Sequence, residues 1–242
     1  MTRLLNGIVA LGSVLLLAVT LIGAGFAAVA IPDAATATLS RAFSGCDQPN
    51  TPFTTDELAS MAIAGKHYTF DDNDREKLDA AIAEANAAAE ADGRANALSR
   101  ESATRSLPAD AISHLDDVYR VASVAKPALV IVVVLYIAGL AHVAVRISRR
   151  ALGLTLMAGG GLVLASFCAL GAWAAIDFDG LFAAFHSLFF QAGTWTFPYD
   201  SLLITLYPTA FWMGMGGIWL AVTCIASIIC IIVGRLLPNE TK

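Results

Sequence analysis

The sequence predicts an all-α, polytopic membrane protein: four transmembrane helices, a mostly helical extracytoplasmic domain, and an interfacial hairpin of two half-helices. Three observations carry this expectation. Of the 242 residues, 57% are hydrophobic and 14% charged, with a mean hydropathy of +0.67, which is far from soluble-domain usage. The apolar residues gather in four runs, 4–31, 128–145, 151–176 and 210–234. Each is long enough to cross a hydrocarbon core of roughly 30 Å, which takes about 20 residues at a rise of about 1.5 Å. Finally, proline, serine and threonine divide the stretch between the first two runs into helix-sized pieces.

The first run follows Met1-Thr2-Arg3 and is trailed by Ala27, Ala28 and Ala30, much as a secretory signal would be. A signal has an apolar core of about 7 to 15 residues, so this longer run is expected to be retained as a span within residues 1–32. Phe43-Ser44-Gly45-Cys46 looks like a lipoprotein acylation site, but it lies too far beyond the apolar run to act as one.

Residues 33–123 form the expected extracytoplasmic domain. Thr54 and Glu57 make a capping box for a helix over 55–66, and Asp71 or Asn73 caps a second over 74–90, which Gly93 ends. Leu78, Ile82, Ala85 and Ala89 give that second helix a thin apolar stripe. The acidic turn 71–74 lacks the glycine and distal glutamate of a calcium loop, so it reads as a solvated cap. Residues 94–106 are polar and loop-like. Ser106 and Pro108 then start a helix reading AISHLDDVYRVAS, whose three-residue spacing puts His114 and Asp117 on one face. A carboxylate that orients an imidazole is an acid/base arrangement, and the same spacing also makes an ordinary surface pair. His67, at a helix end, reads as a structural cap on free carbonyls, and His142, one turn from Arg146, as structural too.

Residues 124–242 form the expected membrane domain, with spans at about 128–145, 151–176 and 210–234 and the hairpin at 177–209. Small residues at Gly161, Ala165 and Ala169 would give the third span a close-packing face. Arg146, Arg149 and Arg150 separate the second and third spans, and Arg3, Arg235 and Lys242 flank the ends, whereas 177–209 holds three aspartates and no basic residue. The basic residues mark the cytoplasmic side, so both termini are expected inside a cell membrane crossed several times. Residues 33–123, with 16 acidic against 8 basic residues, are then outside. Cys168, Cys224 and Cys230 fall within spans, leaving Cys46 alone outside, and no cysteine or histidine spacing is of structural-zinc type. No disulfide framework, metal, cofactor or nucleic-acid partner is expected.

The hairpin segment FHSLFFQAGTWTFPYDSLLITLYP, residues 185–208, has one histidine, one aspartate, seven aromatic residues and no lysine or arginine. Asp179 would cap a helix over 180–191, Gly193 and Pro198 break the chain, and Asp200 would cap a short helix over 201–206. Trp195 and Tyr199 suit headgroup depth, and most of the phenylalanines read as an interfacial belt. His186 is different, because an ionisable group at this depth needs a partner or a task. Desolvation lowers an imidazole's pKa and a carboxylate raises it; Asp200 and Asp117 are the carboxylates expected nearby. A straight helix from His114 into the second span would hold that ring about 20 Å above the bilayer, so a bend over 120–127 is expected, with Pro127 as hinge.

Phe185-His186-x-x-Phe189-Phe190, Trp195, Asp200-x-Leu202-Leu203-Ile204, Pro208 and Phe211 together resemble the signature of a family of Gram-positive integral membrane proteins, formerly of unknown function. That family includes the lipoprotein intramolecular transacylase. His114-Leu115-x-Asp117-Val118 is similar to its second motif, while Thr209 stands where many members carry an acid. The resemblance implies transfer of one fatty acyl chain from the diacylglyceryl group on a lipoprotein's N-terminal cysteine to that cysteine's α-amine. It implies His186 and His114 as catalytic residues with Asp117 beside them, and Phe185, Phe189, Phe190, Trp195, Asp200 and Tyr207 lining the substrate. Diacylglyceryl lipoproteins and membrane phospholipid would be the partners. The residues present suit such aminolysis: no G-x-S-x-G elbow supplies a nucleophile, Cys168 sits about 12 Å below the outer end of its span, and the substrate's own amine can attack. A non-catalytic membrane sensor or partner subunit is the alternative, and a metal-dependent hydrolase using His67, His114 and His186 a third reading with no motif behind it.

Overall fold

The computed structural model describes residues 2–95 and 102–237. Every regular element among them is helical: α1 (Thr2–Ala30), α2 (Asp33–Phe43), α3 (Thr55–Phe70), α4 (Arg75–Ala91), α5 (Ser102–Arg105), α6 (Ala109–His142), α7 (Arg149–Ile176), α8 (Phe178–Ser187), α9 (Leu202–Leu206) and α10 (Thr209–Leu236). A π-helical turn, Val143–Ile147, extends α6. Four helices are long and apolar enough to cross a membrane, Arg3–Ala30, Ala109–Ile147, Arg149–Ile176 and Thr209–Leu236. They contain the four apolar runs of the sequence but for Ile31. Met1, Lys242 and the 96–101 part of the expected loop lie outside the described residues.

The chain divides into two compact units, the first comprising 1–29, 125–177 and 217–242 and the second 30–124 and 178–216. In the first, Leu17, Leu21, Leu156, Val163 and Phe167 form the core, and the Trp219 indole N–H donates to the Ile22 carbonyl at 3.0 Å. Lipid offers helices no hydrophobic drive to associate, so close backbone approach has to supply packing. A Cβ added at Gly153 would meet the Gly234 carbonyl, one at Gly234 would meet the Gly153 carbonyl, and one at Gly160 would meet the Ser227 carbonyl. This overturns the face expected for the third span. Nothing lies near a Cβ at Gly161, and Ala165 and Ala169 are exposed, whereas Gly153, Gly159 and Gly160 are buried.

In the second unit, Leu58, Met61, Leu78, Ala89, Ala111, Leu115, Leu202 and Leu206 share one core. Thr54 and Glu57 form the capping box that starts α3, which runs one turn beyond the expected end. The cap of α4 is Asp74, whose carboxylate accepts from the N–H groups of Glu76 and Lys77, in place of Asp71 or Asn73. The α4 stripe is buried as spaced, and Gly93 turns the chain at φ +67. Two elements are new relative to the sequence reading: α2, whose buried residues are Thr36, Leu39 and Ser40, and α5, a single turn inside the expected loop.

The hairpin also differs. α8 starts at Phe178 and ends at Ser187, and α9 is capped by Ser201, which accepts from the Ile204 N–H, and not by Asp200. Leu202, Leu203 and Leu206 enter the core built by α3, α4 and α6, and 178–216 falls with 30–124 in the second unit. Hydrogen bonds fix it there: Ser44 Oγ to the Leu206 carbonyl (2.6 Å), the Gly45 N–H to the Thr205 carbonyl (2.8 Å), and the Tyr207 hydroxyl to the Ala62 carbonyl (2.6 Å). Gly45 reaches this position at φ +71, which favours glycine.

Candidate functional site: two imidazoles in an aromatic cluster

His114 lies on the second turn of α6, in the half that packs within the second unit, and His186 lies on the last turn of α8 in the same unit. Their ring centroids are 6.1 Å apart with planes 30° from parallel. α6 runs uninterrupted through Pro127, and α8 packs in the same unit as His114.

Aromatic rings surround the pair. Phe190 lies 4.9 Å from His114 and 5.7 Å from His186, Phe197 lies 5.6 Å from His114, and Trp195 lies 4.8 Å from His186. Phe182, which the sequence reading missed, is closest to His186 at 4.0 Å. Its place four residues earlier on the same helix was the available signal. Phe185 meets His186 edge-on at 5.8 Å, and Phe189 lies against Phe185 and Phe190 on the exposed side.

The hydrogen bonds distinguish the two histidines. His186 Nδ1 is 2.9 Å from the Phe182 carbonyl oxygen. A carbonyl only accepts, so Nδ1 carries the proton, and in the neutral ring Nε2 presents its lone pair. His114 is buried, and its Nδ1 has no hydrogen-bond partner. Burial lowers both pKa values. For His114, desolvation and the neighbouring His186, against a small opposing pull from Asp117, bring it down to about 4. For His186, desolvation outweighs the hydrogen bond to Phe182. Both rings are therefore neutral at pH 7, and His186, only half-buried, is not sealed away.

The expected carboxylates do not join them. Asp117 accepts from Arg120 Nη1 at 2.7 Å, so it does not set the His114 tautomer, because its carboxylate is drawn to a cation on its own helix. Asp200 is exposed in the turn before α9, and among the described residues no hydrogen bond links it to either imidazole. Tyr207 does not line the pair: its hydroxyl is held by Ala62, its ring packs on Phe211 and Trp212, and burial raises its pKa. His67 is bound by carboxylates and not by carbonyls, with Nδ1 on Asp71 and Nε2 3.3 Å from Asp33, a setting that excludes it from the imidazole pair. His142 is held by Asn6 at 3.1 Å. A cavity of about 380 Å³ lies elsewhere, beside α3 and the start of α4, lined by Ser60, His67, Tyr68 and Lys77 among others.

Four apolar helices, with a pair of neutral histidines set among aromatic rings, define a multi-pass membrane protein. The sequence profile of the lipoprotein intramolecular transacylase Lit family matches residues 92–212, a segment that holds both histidines and every aromatic ring of the cluster. The chain belongs to that family. Its fold is similar to that of the membrane-integral lipoprotein intramolecular transacylase Lit from Bacillus cereus, with a TM-score of 0.71 at 19% identity over 96% of this chain and 95% of that one. Two variants of the same Bacillus protein, a histidine-to-arginine and a histidine-to-alanine form, match at TM-scores of 0.64 and 0.65, both at 17% identity. A comparison with curated proteins gave no match.

Proposed function

We propose that the chain is a membrane-embedded acyltransferase that moves one fatty acyl chain from the diacylglyceryl group of a lipoprotein N-terminal cysteine to that cysteine's α-amine. The product is an N-acyl, monoacylglyceryl lipoprotein. The observation that carries this reading is the pairing of two neutral imidazoles, one of them with its Nε2 lone pair free by virtue of the Nδ1–Phe182 hydrogen bond.

The α-amine, with a pKa of about 8, attacks the ester carbonyl carbon only when neutral. As the C–N bond forms, His186 Nε2 takes the proton the amine sheds, and the carbonyl π pair becomes an oxyanion. Collapse breaks the bond to the glyceryl oxygen, which receives that proton from the imidazolium. Amine and ester belong to one substrate, so holding it supplies the proximity a second nucleophile would otherwise provide. His114 approaches the same reacting groups from α6, and Phe185, Phe189 and Phe190 offer apolar surface to the acyl chains.

The arginine distribution supports a topology with 33–123 and the hairpin outside, both termini in the cytoplasm, and the site at the outer leaflet of the cell membrane, where lipoproteins and phospholipid meet. The test is expression in a bacterium that lacks lyso-form lipoproteins, with mass spectrometry of the N-terminal lipopeptides. The chain should produce the N-acyl, monoacylglyceryl form. Replacing His186 with Ala should lower the rate by about 10²–10⁴-fold, the usual worth of a general base. An unchanged diacyl product despite confirmed membrane expression would overturn the reading.

A further inference from the structure

An ester under attack by an amine places a full negative charge on its carbonyl oxygen, and the residues so far assigned a role do not account for it. No lysine or arginine occurs between Asp177 and Thr209, so the hairpin offers no cation for the purpose. It does offer a neutral donor. Trp195 Nε1 is buried and has no hydrogen-bond partner, while its ring lies 4.8 Å from His186, inclined by 32°. An indole N–H can only donate, and leaving such a group buried and unpaired is costly. The chain can satisfy an indole where structure alone is at stake, since the Trp219 N–H donates to the Ile22 carbonyl at 3.0 Å. The unpaired donor thus sits beside the base, where an acceptor that appears only during reaction would repay that cost.

We infer that Trp195 is a further catalytic residue, donating its indole N–H to the carbonyl oxygen of the ester under attack. The inference rests on the transacylase reading. In the step itself, the amine nitrogen bonds the carbonyl carbon, the π electrons move onto oxygen, and the Trp195 N–H holds that oxygen until the bond to the glyceryl oxygen breaks. Trp195 gains and loses no proton. His114, whose Nδ1 is the second unpartnered buried nitrogen of the same ring cluster, supplies another donor when that nitrogen bears the hydrogen. Two neutral donors on one oxyanion suit a dry site, where fixed dipoles act most strongly.

The test replaces Trp195 by benzothienylalanine, which keeps the ring shape and puts sulfur where the N–H was, and separately makes Trp195→Phe. Both full-length variants are purified in detergent and assayed on a synthetic diacylglyceryl lipopeptide alongside the unsubstituted protein. Loss of one such donor should lower kcat by about 10²–10³-fold while KM moves little, because the donor binds the transition state and not the resting ester. A sulfur isostere with near-normal kcat overturns the inference and leaves the transacylase reading intact. A sulfur isostere that fails to fold also overturns it, since the N–H would then serve the structure. If the unsubstituted protein itself does not convert the lipopeptide, the transacylase reading falls and takes this inference with it.

Discussion

At the scale of single residues, the site depends on which imidazole nitrogen holds a proton. The Phe182 carbonyl fixes this for His186 by accepting from Nδ1, a task that a carboxylate can also perform. The choice has an electrostatic consequence. A carboxylate partner would raise the pKa, whereas a carbonyl leaves desolvation dominant, so the ring titrates below the ordinary value. The pH–rate profile should show it. Between about pH 6.5 and 8 the rate should follow the neutral fraction of the substrate amine, rising tenfold per pH unit and levelling near 8. The imidazoles should add their own acid limb only below the ordinary histidine value of about 6.5. A histidine inflection at or above pH 7 in kcat/KM would mean that a carboxylate governs the base after all.

At the scale of elements, burial pattern decided what could be read from the sequence. The α4 stripe Leu78, Ile82, Ala85 and Ala89 was legible because apolar residues recur at helical spacing and all four are buried. α2 was not, because it buries Thr36 and Ser40 with Leu39 and shows no apolar face. The two histidines were legible as rare ionisable groups in apolar surroundings, but their partners were not. Spacing puts Asp117 on the face of His114 without revealing that Arg120 claims its carboxylate, and caps slid by a residue because Asp200 and Ser201 are both competent. The junction of α1 and α2 was also hidden, since it is made by a long-range pair. Lys66 is buried, with Nζ 2.6 Å from the Ile31 carbonyl and 2.5 Å from Asp33 Oδ1, and Asp33 also faces His67. Lys66 holds the Asp33 carboxyl below the usual range. The two halves of this pair are unequal. Asp33→Ala strands a buried ammonium and should cost about 3 kcal/mol, whereas Lys66→Met leaves a half-exposed carboxylate that water can serve and should cost less. Thermal unfolding in detergent ranks the two, and equal losses would contradict a desolvated lysine.

At the scale of the whole molecule, a site that keeps two imidazoles neutral among aromatic rings exposes the fold to acid. A histidine whose pKa is depressed in the folded state contributes stability that is fully present above its unfolded value, about 6.5, and is lost as pH falls through the folded value. For His114 that window runs from about 6.5 down to about 4, and the loss is on the order of 3 kcal/mol if the ring stays as buried as it is at neutral pH. His186 adds to it in the same direction. The sign follows from proton counting: in this window the unfolded chain binds protons that the folded chain refuses, so acid favours unfolding. Replacing His114 with Phe removes the titrating group and keeps a ring for Phe190 and Phe197 to pack against. That variant should therefore unfold at a temperature less dependent on pH between about 6.5 and 4, while losing transacylase activity. Melting curves of both proteins in one detergent across that range make the comparison, and parallel pH dependences would show that His114 titrates in the folded protein as it does in the unfolded one, with no depression by burial. The neutral pair would then persist only above about pH 6.5, because below it an imidazolium at His114 would repel the proton that His186 has to accept.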